Sequence, residues 1–538
     1  MPRGSRLRLR ALALGAAAAT VAAVTVPAAI AAPPTDTTAL RDAVTAEGVM
    51  EHERTLQSIA DANDGTRASG TSGFDASADY VTDRLQDAGY TVTRQPFDYE
   101  VFLEDADPVL EQVTPDPTAY AEGDDFSTME YSGSGDTTAA LTPVDVVLPP
   151  GAADNTSNSG CEEADFAGFP AGNIALVQRG TCDFRVKVTN AATAGATGVV
   201  IFNEGQEGRT EVISGTLGAE QGQAAIPAVG TSFAVGQDLF DLTQTDEVTM
   251  HLAVTAHTEV RSTENVIAET NGGRGDRVTM LGAHLDSVQE GPGIHDNGSG
   301  SAGILEIAEE MAESGVTPRN KVRFAWWGAE ESGLVGSQHY VDQLSARAAK
   351  DIAVYLNFDM IGSPNYVRFV YDGDGSAFGV KGPSGSANIE KVFTDFFAGQ
   401  EMASEPTQFD GRSDYDAFVN RGIAAGGLFT GAEDAKSAAQ AAEYGGVAGA
   451  AFDPCYHQAC DSLDPVGDGA DAGVYAALAA DYDMEGNVNL TALEEMTDAA
   501  AHAALTFAMS SSSPSGTEKG SSTPSSTTLE FRGNHQVR

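Results

Sequence analysis

The feature that most constrains the fold of this chain is an alternation of strand-like and helix-like segments after Asn265. Four runs have the composition of buried strands that end in polar residues: RVTMLGAHLD, NKVRFAWWGAEE, DIAVYLNFDMIG and RGIAAGGLFTGAE. Helical segments such as SAGILEIAEEMAESG lie between them. This pattern predicts an α/β fold in which a mainly parallel mixed sheet is flanked by helices. Such a sheet binds ligands beyond the carboxyl ends of its strands, where these polar residues fall.

A second kind of pattern interrupts the first one. Short β-like runs, such as GNIALVQRG and GVVIFNE, are separated by Gly, Asp and Asn turns between residues 106 and 259. We interpret residues 106–259 as an inserted, mostly β module. The α/β domain would then consist of two parts, residues 35–105 and residues 260–508.

The two ends of the chain differ from the rest. Four arginines precede an uncharged, alanine-rich run that closes on Ala29-Ile30-Ala31, which predicts a signal peptide over residues 1–31. A retained anchor is the alternative, but alanine and threonine dominate the run, so we favour cleavage and no membrane anchor in the mature chain. Residues 509–538 are rich in serine, threonine and proline and predict a disordered tail. The protein is therefore expected to be secreted and extracellular.

Charge and cysteine content narrow the choice of partners. The 78 acidic against 30 basic side chains give a formal charge of -48, which excludes nucleic acid as a partner. The four cysteines form two local groups in an exported chain, so we expect disulfides between Cys161 and Cys182 and between Cys455 and Cys460. A cysteine metal site is excluded because no C-x-x-C occurs.

Imidazole and carboxylate groups follow the predicted strands in the positions that a metal site requires. These residues are His284, Asp296, Glu330, Glu331, Asp359 and His457. Histidine and carboxylate are ligands of zinc. Two metal ions fit better than one, because two histidines and three carboxylates exceed the three protein ligands of a single catalytic zinc.

The adjacent pair Glu330-Glu331 allows two interpretations. If the strand end is irregular, both side chains point into one cleft, where one binds metal and the other takes a proton from water. In a regular strand they would face opposite sides of the sheet. Helix capping would also explain two glutamates at this position, but it explains neither the histidines nor Asp359.

These segments resemble the secreted bacterial zinc aminopeptidases of the M28 peptidase type, similar to those of Streptomyces. The resemblance is carried by an ordered set of motifs: GAHLDSV, GPGIHDNGSGSAG, RFAWWGAEESGLVGS, YLNFDMIGSPN, GRSDYDAF, GGLFTGAE and DPCYHQACDSL. The inserted module in turn resembles a protease-associated (PA) domain, which is non-catalytic in the family. We hypothesise that it forms a lid or a wall that contacts the substrate.

The resemblance implies a role for each site residue. His284 and Asp359 would bind one zinc, Glu331 and His457 the other, and Asp296 would bridge them. Glu330 would be the general base, and Tyr456 would polarise the scissile carbonyl.

Two further residues would contact the substrate by the same resemblance. Phe429 would line the pocket for the first side chain, which implies a preference for large apolar residues such as leucine, although a core position is the alternative. Arg412 would hold the amino end of the substrate through its backbone, with a surface ion pair as the alternative.

Two further residues lie close to the proposed ligands in the sequence. Asp286 follows His284 by two residues and is expected to orient it, although a turn-forming aspartate is the rival interpretation. His295 departs from the family, which usually has Asn or Asp there, and we expect it not to bind metal.

Alternative functions are a zinc carboxypeptidase of the same fold and a non-catalytic, receptor-like binding protein. The substrates are expected to be the amino termini of peptides or proteins, and the chain is expected to act as a monomer. Calcium is a possible further cofactor, because Asp464 to Asp483 is rich in carboxylates, although a solvated loop is the interpretation we favour.

Overall fold

The computed structural model describes residues 35–153, 155–206, 209–218, 222–512 and 514. The helices are α1 Thr38–Arg41, α2 Ala46–Asp61, α3 Ser72–Asp87, α4 Phe184–Thr193, α5 Phe233–Thr243, α6 Gly300–Glu313, α7 Val335–Gln343, α8 Ala346–Asp351, α9 Ser386–Gly399, α10 Tyr415–Asn420, α11 Ala438–Tyr444, α12 Ala472–Asp481 and α13 Leu490–Met509. The predicted signal peptide and almost all of the predicted tail lie outside the described residues.

The strands are β1 Thr91–Thr114, β2 Thr118–Ala119, β3 Phe126–Thr128, β4 Gly135–Pro143, β5 Ile174–Gln178, β6 Gly198–Phe202, β7 Ala228–Thr231, β8 Thr249–Glu269, β9 Arg274–His284, β10 Asn320–Trp327, β11 Ile352–Phe358, β12 Phe369–Tyr371, β13 Glu405–Thr407, β14 Ala425–Phe429, β15 Met484–Glu485 and β16 Val488–Asn489. The first fourteen form one sheet, in which the path runs β13-β12-β14-β11-β9-β10-β8-β4-β5-β6-β7-β3 and β1 pairs with β8 and β2. The pairings of β9 with β10, β9 with β11, and β11 with β14 are parallel. The predicted mainly parallel mixed sheet is therefore confirmed.

Helices cover both faces of this sheet. Trp326 and Trp327 are adjacent on β10 and fully buried, yet they belong to different core clusters, because neighbouring strand residues point to opposite faces. Trp326 packs in the larger core with residues of α6 and α13. Trp327 packs beside Tyr340 of α7 and Phe418 of α10.

The inserted module is built on the same sheet. Its four parallel strands are neighbours in the sheet, in the order β4, β5, β6 and β7. Helices α4 and α5 pack in the two cores beside these strands. The long antiparallel strands β1 and β8 run from the α/β part into the module. The predicted boundaries at 105 and 259 fall inside these two strands, so two paired strands connect the parts.

The structure pairs Cys161 with Cys182 and Cys455 with Cys460. In the described part of the chain, no helix has the length and apolar character needed to cross a membrane.

Candidate metal centre and active site

Three neighbouring strands deliver the site residues to one edge of the sheet. β9 ends on His284, β10 ends three residues before Glu330, and β11 ends one residue before Asp359. Trp327 at the end of β10 is in register with His284. Because these strands are parallel, their carboxyl ends meet, and the side chains that follow them converge.

The backbone leaves regular geometry at this edge. Ala329, Met360 and His457 have φ values of 54°, 54° and 55°, a left-handed conformation that is uncommon for residues with a side chain. Each is a site residue or a direct neighbour of one. The irregular turn after β10 lets both Glu330 and Glu331 line the same cavity, as the first interpretation of this pair requires. Backbone strain of this kind is concentrated at functional sites.

The carboxylate of Asp296 lies between the two histidines. Its Oδ1 is 3.1 Å from His284 Nε2, and its Oδ2 is 3.2 Å from His457 Nε2. Asp359 Oδ1 lies 3.2 Å from His284 Nε2, and Glu331 Oε2 lies 3.2 Å from His457 Nε2. The five side chains therefore divide into two sets that share Asp296.

Two overlapping groups of these side chains offer the donor atoms that a metal ion needs. Ligand-type atoms of His284, Asp296 and Glu331 lie within 4.8 Å of one another, as do those of His284, Glu330 and Asp359. All are buried, and Glu331 Oε1 has no hydrogen-bond partner in the structure. A buried carboxylate oxygen without a partner is costly, and a cation at this position would remove that cost.

The pKa values of the two histidines reflect the negative charge of the site. Burial disfavours a charged imidazole, but Asp359 and Glu330 outweigh it and raise the pKa of His284 well above its usual value. For His457, burial is likewise outweighed by Glu331 and Asp296, and the pKa rises to about 10. The carboxylates thus create a field that favours positive charge between them.

Glu330 differs from the other carboxylates. Burial raises the pKa of Glu330 well above its usual value; His284 opposes the shift, and the nearby charge of Glu331 adds to it. A carboxylate with a raised pKa is a better proton acceptor than an ordinary surface glutamate.

Asp286 orients His284 in a different way from the prediction. His284 Nδ1 lies 3.0 Å from the main-chain carbonyl of Asp286, whereas the Asp286 carboxylate is 3.8 Å away. That carboxylate instead accepts the backbone N–H groups of Glu330 and Glu331, at 3.2 and 3.4 Å. The turn after His284 brings the carbonyl rather than the side chain to the ring, so the Asp286 side chain fixes the glutamate turn.

Arg412 contacts the site through its side chain. Its Nη1 donates to Glu433 Oε1 at 2.8 Å, and its Nη2 donates to the Tyr456 hydroxyl at 3.2 Å. Burial raises the pKa of Tyr456 well above its usual value, although the charge of Arg412 opposes this. Since the guanidinium can only donate, it occupies a lone pair of the Tyr456 oxygen and leaves the phenolic proton free for another acceptor.

A cavity of about 750 Å³ joins these residues. Nine predicted site residues line it: His284, Asp296, Glu330, Glu331, Asp359, Arg412, Phe429, Tyr456 and His457. Phe429 packs against Phe369, with ring centroids 6.0 Å apart, and both line the cavity. None of the described residues that line the cavity belongs to the range 106–259, and the role of the inserted module as a lid or a wall that contacts the substrate stays a hypothesis.

His295 is fully buried and does not point at the ligands. Its Nδ1 lies 2.6 Å from Asp453 Oδ2, and the N–H of Gly362 donates to its Nε2 at 3.3 Å. Asp453 Oδ1 also accepts the backbone N–H of Cys455. His295 therefore ties the segment of Asp296 to the loop of His457.

Three buried residues that the sequence analysis did not assign hold the ligands in place. Both oxygens of Asp461 accept backbone N–H groups, from His295 at 2.8 Å and Asp296 at 2.9 Å. Ser413 donates to Asp359 Oδ2 at 2.5 Å. Asp461 lies in the motif DPCYHQACDSL and Ser413 in the motif GRSDYDAF. Their position in these motifs is the sequence feature that could have identified them.

Arg67 is the third of these residues and lies in no motif. It is fully buried, and its guanidinium donates to the carbonyls of Leu285, Pro292 and Gly293. It thereby fixes the loop that leads from His284 to Asp296.

The acidic stretch from Asp464 to Asp483 uses several of its carboxylates within its own turns. Asp464 accepts the N–H of Gly467, Asp468 accepts the hydroxyl of Ser462, and Asp471 caps α12. These contacts favour the solvated-loop interpretation over a calcium site.

The chain is similar to known families and proteins. Residues 265–480 match the model of peptidase family M28, and residues 142–239 match that of the PA domain. The chain is 50% identical over 418 residues to an aminopeptidase of Pseudomonas aeruginosa, covering 78% of this chain and 76% of that protein. It is 41% identical over 434 residues to leucine aminopeptidase 2 of Arthroderma otae, covering 80% of this chain and 82% of that protein.

Solved structures share the fold. An aminopeptidase from Aneurinibacillus sp. strain AM-1 superposes with a TM-score of 0.65 at 24% identity, over 87% of this chain and 95% of that one. A zinc aminopeptidase from Bacillus subtilis, BSAP, gives a TM-score of 0.55 at 22% identity, over 86% and 94% of the two chains.

Proposed function

The chain belongs to peptidase family M28 and contains a PA domain, and from this we propose that it is a secreted aminopeptidase that uses two zinc ions. It would remove N-terminal residues from peptides, with a preference for large apolar residues such as leucine. The observation that carries the proposal is Asp296, whose two carboxylate oxygens face two histidines that each have a further carboxylate beside them.

The donor set supports one division of the two ions among the residues. His284 and Asp359 would hold one zinc, Glu331 and His457 the other, and Asp296 would contact both. When bound, zinc acts as a Lewis acid and lowers the pKa of a coordinated water towards about 7.

Proton transfer is the task of Glu330. Its carboxylate accepts a proton from the attacking water while the water oxygen bonds to the scissile carbonyl carbon. As the C–N bond breaks, Glu330 returns that proton to the departing amine.

Tyr456 would stabilise the carbonyl oxygen as it becomes negative. Its free phenolic proton can donate to that oxygen, because Arg412 already occupies a lone pair of the phenol. Preorganised donors of this type usually supply the largest electrostatic contribution to acyl transfer.

The negative charge of the cavity favours one orientation of the substrate, with its amino end inside. The carboxylates of Glu330 and Asp359 favour a protonated amino terminus nearby. Among the described residues that line the cavity, Arg412 is the one lysine or arginine, and Glu433 is paired with it at 2.8 Å. A carboxypeptidase needs an unpaired cation for the terminal carboxylate of its substrate, and this cavity favours the amino end instead.

Secretion is supported by the sequence of residues 1–31 and by two disulfides, which persist in oxidising compartments. The leucine preference is supported by Phe429 and Phe369, which line the cavity. A receptor-like protein without catalysis is less consistent with the site, since all five ligand positions and the base are filled.

The test compares substrates that differ only at the amino end. We expect rapid hydrolysis of leucine p-nitroanilide and no hydrolysis of N-acetyl-leucine p-nitroanilide. A blocked peptide with a free carboxyl terminus should also be inert. If the protein released residues only from that blocked peptide, the aminopeptidase assignment would be wrong.

A further inference from the structure

A phenylalanine at the cavity has no role in the chemistry described above. Phe378 lines the cavity, yet the residue is 46% exposed. It lies on the loop of residues 372–385, between β12 and α9. An exposed phenyl ring loses the stabilisation that burial would give it, so its position at a binding cavity requires an explanation.

The loop holds Phe378 through its backbone. The carboxylate of Asp372 accepts the N–H groups of Ser376, Ala377 and Phe378, each at 3.0 Å. Asp372 is itself buried, and its own N–H donates to the carbonyl of Thr407 in β13 at 2.7 Å. The segment is therefore fixed to the sheet edge, although the ring of Phe378 packs in no core cluster of the described residues.

A second contact fixes the same loop to a helix. The N–H of Asp374 donates to Glu390 Oε2 of α9 at 2.9 Å. The carboxylates of Asp372, Asp374 and Glu390 thus accept hydrogen bonds from backbone N–H groups of the loop. Preorganisation of this kind reduces the conformational entropy that a ligand must offset when it binds.

Phe378 is separate from the aromatic cluster deeper in the cavity. Phe369 stacks on Phe429 at 6.0 Å and meets Phe452 at 5.5 Å, and all three line the cavity. These rings are less exposed than Phe378 and are suited to the first side chain of the substrate. An exopeptidase holds the amino end inside its cleft, so the remainder of the peptide must leave through the exposed side, where Phe378 lies.

We propose that Phe378 forms a binding subsite for an apolar side chain that follows the scissile bond of the peptide. The inference rests on the proposed aminopeptidase function and adds to it a preference beyond the first residue. Contact with an apolar side chain would remove the exposed part of the ring from water, which is favourable in proportion to the apolar area buried.

The test is a ratio of specificity constants measured with the zinc-loaded full-length protein. The substrates are leucyl-phenylalanine amide, with an aromatic residue after the scissile bond, and leucyl-glycine amide, with none. We expect Phe378→Ala to lower kcat/KM for the first relative to the second by about tenfold, the discrimination typical of one lost apolar contact.

Val380→Ala is the matched control. Val380 lies on the same loop and is 38% exposed, but it is not among the described residues that line the cavity. The ratio should stay at the wild-type value in this variant. Circular dichroism and the thermal midpoint would show that both variants are folded.

Two results would overturn the subsite. One is an unchanged ratio in Phe378→Ala. The other is an equal loss on both dipeptide amides and on leucine amide, which would place Phe378 in the pocket for the first residue. Failure of the proposed function gives a different result, since the wild-type protein would then hydrolyse none of the three substrates.

Discussion

At the scale of single residues, Asp296 connects the two halves of the site. Its two oxygens face different histidines, and its backbone N–H is held by Asp461. The neighbouring side chain of His295 reaches Asp453 in the loop that carries His457. Position 296 is therefore fixed from both sides by buried groups.

The proposed role of Glu330 as general base can be tested with one substitution. Glu330→Gln keeps the size of the side chain but removes its ability to accept a proton from water. We expect kcat for leucine p-nitroanilide to fall by roughly 10²- to 10⁴-fold, the usual contribution of general base catalysis. Zinc content per chain should match that of the wild-type protein, because five other residues supply the proposed ligands. An unchanged kcat at full zinc content would contradict the assignment.

His295 allows a prediction about stability. His295→Leu leaves the buried Asp453 carboxylate without its ring partner at 2.6 Å. The loss of one partner from a buried charged pair costs about 3 kcal/mol or more. We expect a clearly lower thermal midpoint, measured by calorimetry with zinc present.

His257→Leu is the comparison for that experiment. His257 lies 2.9 Å from Asp105, but both side chains are 47% exposed. An exposed pair contributes less than about 1 kcal/mol. Equal shifts of the midpoint in the two variants would show that the burial of the His295 pair has no special importance.

Sequence reasoning located the candidate ligands because each follows a strand or lies in a loop after one. It did not find Arg67, which acts through backbone carbonyls of a loop more than two hundred residues away. A single buried arginine leaves no pattern in a sequence. The same limit explains Asp286, since spacing predicts the face of a strand but not the turn that follows it.

At the scale of elements, the loop closed by Cys455 and Cys460 carries both Tyr456 and His457. The bond closes a separation of 5 residues, whereas Cys161 and Cys182 are 21 residues apart. Chain entropy alone predicts about 2 kcal/mol of stabilisation for the short loop and about 3 kcal/mol for the long one. For function we expect the opposite order: loss of the Cys455–Cys460 bond should affect the site more than loss of the Cys161–Cys182 bond.

We expect the double variant Cys455→Ser/Cys460→Ser to bind zinc about tenfold more weakly, because the loop no longer holds His457 in position. Competition with a chromogenic chelator would measure this. The matched variant Cys161→Ser/Cys182→Ser should lower the thermal midpoint and leave zinc affinity and kcat at wild-type values. Equal zinc affinities in the two variants would contradict a positioning role for the short loop.

The strands and helices of the α/β part were predictable because their apolar patterns are strong. The lengths of β1 and β8 were not, since exposed threonines and charged residues interrupt their middle sections. These residues face solvent on strands that pair with each other, and pairing is a tertiary property that local pattern does not reveal. The domain boundaries placed at 105 and 259 reflect that change of composition.

At the scale of the whole molecule, one sheet supports both the cavity and the inserted PA domain. The described cavity is lined by residues of the α/β part. The resemblance correctly indicated a PA domain in the insertion. β1 and β8 continue beyond the carboxyl end of β10, because Trp326 pairs with Val266 and the pairing of β1 with β8 runs on from there to Thr114 and Thr249. The insertion therefore lies on the carboxyl side of β10.

The central claim is that two zinc ions act together in this site, and zinc titration of the metal-free protein tests it most directly. Zinc is removed with a chelator, and the rate of leucine p-nitroanilide hydrolysis is then followed as zinc is added back. The account predicts that the rate rises until two zinc ions are bound per chain and does not increase further. A full rate at one zinc per chain, or a full rate without zinc, would contradict it.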